Sequence, residues 1–233
     1  NVIFAALEQG VKKVIALSTD KAANPINLYG ASKLASDKLF ISGNNFGGGI
    51  TQFSVVRYGN VIGSRGSVVP YFSELIKKKQ KFLPITHPEM TRFWININQG
   101  IGLVEKSFYR MIGGEIFIPI IPSIKIVDLA KSMAPNLKQK IIGIRPGEKI
   151  HEIMCSTDDA ANVFQFKDHY TVTPSSQFYK TKKDYKKNRL NEVGKPVKLD
   201  FEYNSGTNKI FLTVNEIRKM NLSNKIDIFS KSS

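Results

Sequence analysis

The stretch Leu17-Ser-Thr-Asp-Lys-Ala-Ala-Asn-Pro-Ile-Asn-Leu-Tyr-Gly-Ala-Ser-Lys33 decides the fold class of this chain. It continues a short apolar run, Val14 to Leu17, that is β-branched at its start and predicts a buried parallel strand. Thr19, Asp20 and Lys21 follow directly after that strand. In open parallel sheets the ligand crevice lies outside the carboxyl ends of the strands, so these three side chains are predicted to face a ligand.

A helix is predicted to begin at Leu28, after the loop that Asn24-Pro25 imposes. Tyr29 and Lys33 lie four residues apart, which places a phenol and an ammonium on one helix face. A phenol is a weak base at neutral pH, but a nearby ammonium favours the phenolate. A lone Tyr-x-x-x-Lys is most often an ordinary surface pair, so a catalytic interpretation depends on the neighbouring motifs.

The rest of the chain alternates helical and extended patterns, which is typical of an α/β fold. The predicted helices cover residues 1–9, 28–42, 68–78, 98–111 and 124–133, and the predicted strands cover 11–17, 52–58, 115–118 and 141–144. Phe93 to Asn96 and the helix after it are expected to return to the main sheet. Beyond Asp158 the pattern weakens, and Tyr179 to Asn191 is lysine-rich and expected to be exposed.

The glycine-rich turn that opens a dinucleotide-binding fold has no counterpart here. Gly47-Gly-Gly49 precedes a strand rather than a helix, and the spacing of Gly59, Gly63 and Gly66 differs from the fingerprint. We therefore expect this chain to be a fragment that lacks its first half-fold, on the order of 100 residues. The chain expressed alone is expected not to retain a dinucleotide.

The formal net charge of +15 raises the alternative of a nucleic-acid-binding domain. Most of that charge is lysine, however, and only seven residues are arginine. Lysine clusters such as Lys77-Lys-Lys79 and those at 182–183 and 186–187 are predicted to be solvated faces. No partner nucleic acid is therefore expected.

Other sequence features point to a soluble protein of a reducing compartment. The single cysteine excludes an internal disulfide, and no apolar run approaches the roughly 20 residues that cross a bilayer. His87, His151 and His169 are scattered without the spacing of metal ligands, so no metal is predicted. The expected location is cytoplasmic.

Ser18-Thr-Asp-Lys21 followed by Tyr29-Gly-Ala-Ser-Lys33 resembles the active-site segment of the extended short-chain dehydrogenase/reductase family. More narrowly, it is similar to the inverting UDP-N-acetylglucosamine 4,6-dehydratases of pseudaminic acid biosynthesis. The likeness extends over about residues 1 to 205, through Arg57-Tyr-Gly-Asn-Val-Ile-Gly-Ser-Arg-Gly-Ser-Val-Val-Pro70, Met90-Thr-Arg-Phe-Trp94, Gly114-Glu-Ile-Phe117 and Ile144-Arg-Pro-Gly-Glu-Lys149.

The resemblance implies a partial Rossmann-like, doubly wound parallel sheet, with its first half missing, and a smaller C-terminal lobe. Residues 1–66 would be the C-terminal half of the dinucleotide-binding domain, with 93–118 returning to it. Residues 67–92 and 119–233 would form the lobe that binds the UDP-sugar and end in a polar tail. A homo-oligomer is expected for the full-length protein.

The resemblance also implies a reaction, an internal redox elimination of water from UDP-N-acetylglucosamine with NADP as cofactor. In that scheme Tyr29 takes the proton of the C4 hydroxyl, Lys33 supports the phenolate and Thr19 hydrogen-bonds the same oxygen. Lys21 is our candidate for the base at C5 and Asp20 for the acid at C6, since the elimination needs two titratable groups with separate roles. Lys21 and Tyr29 both favour the inverting over the retaining enzymes.

Further contacts are implied residue by residue. Cofactor contacts fall on Ser18, Thr19, Tyr29, Lys33, Val61, Ile62, Gly63, Ser64 and Arg65. Substrate contacts fall on Lys21, Asn60, Val68, Thr86, Arg92, Arg145 and Glu148. Arg57 is expected to join the other motif arginines at the anionic end of the ligand, because guanidinium groups bind phosphate oxygens bidentately. A retaining dehydratase or a C4 epimerase of the same fold, and an inactive fragment, remain as alternatives.

Overall fold

The computed structural model describes residues 1–46, 48–174 and 183–224 and shows a mixed α/β chain. The helices are α1 (Val2–Glu8), α2 (Leu28–Gly43), α3 (Val68–Lys77), α4 (Ile97–Arg110), α5 (Ile126–Met133) and α6 (Val214–Ser223). The strands are β1 (Lys13–Thr19), β2 (Gln52–Tyr58), β3 (Asn60–Val61), β4 (Phe82–Ile85), β5 (Thr91–Ile95), β6 (Ile116–Pro119), β7 (Ser123–Lys125), β8 (Lys138–Ile141), β9 (Ile153–Cys155), β10 (Val163–Gln165), β11 (His169–Val172), β12 (Lys195–Pro196) and β13 (Tyr203–Asn204).

The chain forms two compact units. The first consists of Asn1–Tyr58, Ile101–Ile120 and Ile153–Tyr203, and the second of Gly59–Gly100, Ile121–Glu152 and the segment from Asn204 on. These boundaries differ from the predicted ones, because the chain crosses between the units more often than a sequence pattern reveals.

The first unit is built on a six-stranded sheet with the order β1-β2-β6-β11-β10-β12. β1, β2 and β6 are parallel, and the crossover between β1 and β2 is made by α2. Phe53, Val55 and Val56 in β2 are fully buried, as the apolar run predicts for a central parallel strand. β1 is parallel as predicted, but it lies at the edge of the sheet and Leu17 is 50% exposed, so the prediction of a buried strand is wrong there.

Two predictions about strand placement are wrong. β10, β11 and β12 extend the first sheet in antiparallel orientation beyond β6, although residues 119–233 were assigned to the other lobe. These strands are two to four residues long, too short for a pattern to show. β5 was expected to return to the main sheet but pairs with β3 and β7 in the second unit. All five residues of β5 are buried, and such a run does not indicate which of two sheets it joins.

The second unit packs α3, α5 and α6 against one core, which includes Trp94, Phe72 and Leu83. The predicted apolar stripe of α5 is confirmed, because Ile126, Leu129, Ala130 and Met133 are all buried there. The strand predicted over 141–144 lies earlier, over Lys138–Ile141, and pairs with β4. Ile142 and Ile144 are exposed, so their apolar character does not mark a buried strand.

The lysine-rich segment is less exposed than predicted where the structure describes it. Lys183 donates from Nζ to the Ile112 carbonyl at 2.8 Å, and the buried Tyr185 hydroxyl donates to the Gly113 carbonyl at 2.9 Å. Lys186 and Lys187 are exposed, as expected. Residues 179–182 lie outside the described ranges.

A buried histidine in β11 is expected to make the stability of the first unit depend on pH. His169 is stacked on Phe166 with 4.6 Å between ring centroids, and its Nδ1 lies 2.8 Å from Asp168 Oδ1. Burial lowers the pKa of His169 below its ordinary 6.5, while the hydrogen bond to Asp168 opposes the shift and Arg110 adds to it.

We expect the free energy of unfolding to fall as the pH drops below about 6.5, because the unfolded chain then binds more protons than the folded one. One such group contributes at most about 1.4 kcal/mol per pH unit. Urea unfolding at about pH 7.5 and about pH 5.5 measures this dependence, and His169→Gln should weaken it. An identical pH dependence in the variant would contradict the assignment.

Candidate active site

β1 ends in a short 3-10 turn, Asp20–Ala22, that brings the three predicted ligand-facing residues together. Thr19 caps this turn, since its Oγ1 accepts a hydrogen bond from the Lys21 backbone N–H at 3.4 Å. The same hydroxyl donates to Asp20 Oδ1 at 2.9 Å, and Lys21 Nζ donates to that oxygen at 3.1 Å. One carboxylate oxygen therefore connects a hydroxyl and an ammonium at the carboxyl end of the strand.

Asp20 and Lys21 differ in their access to solvent. The Asp20 side chain is 1% exposed and the Lys21 side chain 32%. Within the part of the chain that the structure describes, Asp20 Oδ2 has no hydrogen-bond partner. A buried carboxylate is costly unless an opposite charge compensates it, and the Lys21 ammonium supplies that charge at 3.1 Å.

Helix α2 places Tyr29 and Lys33 beside the same strand end. The helix begins at the Asn27 cap, whose Oδ1 accepts from the Gly30 N–H at 2.8 Å. Lys33 Nζ donates to the Leu17 carbonyl oxygen at 2.6 Å, two residues before Thr19. The Tyr29 side chain is exposed. The predicted start of the helix at Leu28 agrees with the structure.

Tyr58 is a candidate site residue that the sequence prediction did not include. It lies directly opposite Thr19 in the β1–β2 ladder. Burial raises the pKa of Tyr58, and electrostatic interaction with Tyr29 raises it further. Tyr58 therefore remains a neutral phenol near Tyr29, able to donate a proton or a hydrogen bond. Its position in the Arg57-Tyr-Gly-Asn60 motif is the sequence feature that could have identified it.

A buried network lies under this strand end. Asp37 Oδ2 accepts from Ser18 Oγ at 2.8 Å and from an Arg57 guanidinium nitrogen at 3.1 Å. The other terminal nitrogen of Arg57 donates to the Met154 carbonyl at 2.9 Å. Arg57 is 3% exposed. The expectation that it serves the anionic end of a ligand is therefore wrong, and the Ser18 hydroxyl is directed at Asp37.

The second unit holds the other predicted cofactor residues. Asn60 and Val61 form β3, which pairs with Trp94 and Ile95 of β5. The chain then turns through residues 62–65: Ile62 is buried, Gly63 has a positive φ of 74°, and Ser64 and Arg65 are exposed. This turn therefore presents Arg65 to solvent, while Asn60 and Val61 are partly buried.

The predicted substrate residues of the second unit differ in their exposure to solvent. Arg92 is nearly buried; one terminal nitrogen donates to the Thr91 and Ile150 carbonyls at 2.6 and 3.1 Å, and its Nε lies 3.6 Å from Glu152 Oε1. Arg145 is exposed in a turn that Glu148 closes, with the Arg145 N–H donating to Glu148 Oε2 at 3.4 Å. Val68 and Thr86 are partly buried.

Some chemistries find no support in the described ranges 1–46, 48–174 and 183–224. No group of three or more His, Cys, Asp or Glu residues there is arranged to hold a metal ion. No helix there has the length and apolar character needed to span a bilayer. Burial raises the pKa of Cys155 to about 12, so its thiol is not a nucleophile at neutral pH.

Comparison with known proteins gives relatives with related activities. The chain is 56% identical over 218 residues to the UDP-N-acetylglucosamine 4,6-dehydratase (inverting) of Campylobacter jejuni subsp. jejuni serotype O:2, covering 93% of this chain and 65% of that protein. It is 41% identical over 177 residues to the UDP-glucose 4-epimerase of Rickettsia rickettsii, covering 74% of this chain and 52% of that protein.

A solved structure supports the same fold. The X-ray structure of Pen from Bacillus thuringiensis superimposes with a TM-score of 0.80 at 33% identity, covering 97% of this chain and 67% of that one. The predicted α/β fold with a parallel sheet is confirmed. The family model described as polysaccharide biosynthesis protein matches residues 1–174, and the chain therefore belongs to that family.

Proposed function

We propose that this chain carries the catalytic residues of a UDP-N-acetylglucosamine 4,6-dehydratase that inverts the configuration at C5. The observation that carries the proposal is the hydrogen-bonded group of Thr19, Asp20 and Lys21 at the end of β1, next to Tyr29 and Lys33 on α2. The 56% identity to the inverting Campylobacter enzyme supports it. The chain spans 65% of that relative's length, so the activity of the whole protein is part of the proposal.

The first step needs a base at the C4 hydroxyl. Tyr29 is exposed and takes that proton, while Lys33, held at the Leu17 carbonyl, favours the phenolate. Thr19 hydrogen-bonds the C4 oxygen. Tyr29 and Lys33 also fit the nicotinamide ribose of NADP, because both lie at the carboxyl end of β1, where a parallel sheet binds its ligand. Bound NADP would supply the hydride acceptor for C4 and the hydride donor for C6.

The elimination step needs a base at C5 and an acid at C6. The Lys21–Asp20 pair meets both needs, because one proton shift across its 3.1 Å contact converts ammonium and carboxylate into amine and carboxylic acid. A bound sugar that covers the partly exposed Lys21 removes the solvation of its ammonium, which favours the neutral pair. For Asp20 to protonate the C6 hydroxyl directly, its Oδ2 has to become accessible to the sugar.

Binding of the UDP-sugar is assigned to the second unit. Arg65 and Arg145 present exposed guanidinium groups that suit a diphosphate, and Glu148 suits the hydroxyls of the uridine ribose. Asn60, Val68, Thr86 and Arg92 complete the proposed substrate contacts. We further propose that the full-length protein is a cytoplasmic homo-oligomer that supplies a sugar for surface glycan or flagellin modification of the pseudaminic acid type.

A C4 epimerase is the competing function, favoured by the 41% identity to the Rickettsia enzyme. An epimerase moves a hydride at C4 and needs no acid and base at C5 and C6. The Lys21–Asp20 contact therefore favours the dehydratase.

The full-length natural protein, incubated in deuterium oxide with UDP-N-acetylglucosamine and NADP, tests this assignment. We expect proton NMR to show a 4-keto-6-deoxy product with a new methyl signal, inverted at C5 and carrying solvent deuterium there. A product that retains its C6 hydroxyl and differs only at C4 would establish an epimerase. A 4-keto-6-deoxy product with retained C5 configuration would establish the retaining dehydratase.

A further inference from the structure

Helix α2 is attached at two points to the end of β1 and to the turn that follows it. One point is Asp37, whose side chain is 1% exposed and binds Ser18 and Arg57 through the single atom Oδ2. Ser18 and Arg57 are opposite each other in the β1–β2 ladder. One carboxylate thus joins the helix to two adjacent strands, one residue before Thr19 and one before Tyr58.

The second point is Gly30 at the start of the helix. A Cβ placed on Gly30 would lie 2.3 Å from the Lys21 carbonyl oxygen and 3.0 Å from Pro25 Cβ. The helix backbone therefore lies directly against the turn that carries Asp20 and Lys21. Only glycine permits this approach, because any other residue would have to displace main-chain atoms.

Helical geometry relates these two points to the catalytic side chains. At about 100° per residue, Gly30 and Asp37 are separated by about 20° around the helix axis. Lys33 is then about 40° and Tyr29 about 80° from Asp37. The face that is held against β1 therefore determines where the adjoining face directs the phenol and the ammonium.

We propose that Asp37 is a positioning residue, which fixes the rotation and height of α2 so that Tyr29 and Lys33 meet the Thr19–Lys21 turn. The kinetic part of this proposal rests on the proposed dehydratase function. The geometric part does not, since it concerns only how firmly residues 17–33 are held in place.

A purely structural ion pair provides the comparison. Arg110 in the same unit binds Glu192 through two nitrogens, at 2.7 and 3.0 Å, and has no contact with residues 17–33 among its described bonds. Glu192→Gln removes a carboxylate from an arginine, as Asp37→Asn does. Both variants replace an arginine-bound carboxylate by an amide, but Glu192 is 41% exposed and Arg110 keeps Asp168 at 3.0 Å, so Glu192→Gln controls for loss of the charge and not for burial.

The test uses the full-length protein, with Asp37→Asn and Glu192→Gln compared at a temperature where circular dichroism shows both to be folded. We expect Asp37→Asn to lower kcat by about tenfold or more with little change in KM, because misorientation affects the reacting groups more than substrate binding. Its kcat–pH profile should shift to higher pH, since Lys33 no longer supports the phenolate. Glu192→Gln should lower the melting temperature and leave kcat and the pH profile unchanged.

Hydrogen exchange provides a readout that does not require turnover. In Asp37→Asn the amides of residues 17–33 should exchange at least about tenfold faster than in the natural protein, while those of α4 and β11 keep their rates. Ser18→Ala removes one hydrogen bond and leaves the Asp37–Arg57 pair. It should also accelerate exchange at residues 17–33, but by a smaller factor. This variant decides the question where Asp37→Asn does not fold.

A folded Asp37→Asn protein with natural kcat, pH profile and exchange at residues 17–33 would overturn the proposal. Acceleration spread evenly over the first unit would also overturn it, because that outcome describes a structural ion pair. If the natural protein itself lacks dehydratase turnover, the proposed function fails, and the local exchange result still decides whether Asp37 holds the helix.

Discussion

Replacing Tyr29 by phenylalanine in the full-length protein is expected to lower kcat for dehydration by about 10²–10⁴-fold, the usual effect of removing a general base. The change deletes one oxygen from an exposed side chain, so the fold should be unaffected. In the proposed mechanism, oxidation at C4 is the first chemical step, and without it no later step can occur. The expected defect is therefore in the appearance of NADPH absorbance as well as in product formation.

Stopped-flow absorbance after mixing with UDP-N-acetylglucosamine measures the first step directly. Tyr109→Phe is the matched control, because Tyr109 also lies on a helix of the first unit and is 62% exposed against 56% for Tyr29. Its kcat should equal that of the natural protein. Unchanged turnover in Tyr29→Phe would reject Tyr29 as the base and direct attention to Tyr58, whose phenol lies nearby.

Replacing Lys21 by alanine is expected to separate the oxidation from the elimination. In the proposed mechanism the C4 ketone acidifies the C5 proton, so the elimination requires its base only after hydride transfer. Lys21→Ala should therefore still bind the UDP-sugar and still reduce NADP within about tenfold of the natural rate, whereas product should fall by about 10²–10⁴-fold. Without a base at C5, the ketone can only take its hydride back.

A single-turnover experiment in deuterium oxide checks this expectation by following NADPH absorbance together with deuterium at C5. Lys167→Ala, which removes an exposed lysine of the same unit, is the control and should behave as the natural protein does. Because Lys21 stabilises the buried Asp20, circular dichroism must first show that Lys21→Ala is folded. Exchange at C5 as fast as in the natural protein would reject Lys21 as the base.

Asp20→Asn should behave differently from Lys21→Ala. The asparagine keeps the shape of the side chain and a hydrogen-bond acceptor for Thr19 and Lys21, but it cannot donate a carboxylic acid proton. Exchange at C5 should persist while loss of the C6 hydroxyl slows. If both variants lost exchange equally, the two residues would act as one unit at C5 rather than as separate acid and base.

Sequence and structure agree where the deciding interactions are local. The bounds of β2, the start of α2 at Leu28 and the buried stripe of α5 follow from patterns within a few residues, because helix and strand periods repeat over that distance. The grouping of Thr19, Asp20 and Lys21 is local as well, since consecutive residues after one strand end remain neighbours however the sheet is ordered.

Interactions between distant residues were decided by the tertiary structure. The β1–β2 register sets Tyr58 opposite Thr19 and Ser18 opposite Arg57. The packing of α2 then brings Asp37 into contact with Ser18 and Arg57. β5, an apolar run suited to any sheet, pairs in the second unit. Asp37, Arg57 and Tyr58 have polar side chains whose burial depends on partners 19 or more residues away, or on the neighbouring strand. No local window of sequence contains such a pairing, because its free energy arises only when separate elements pack together and exclude water.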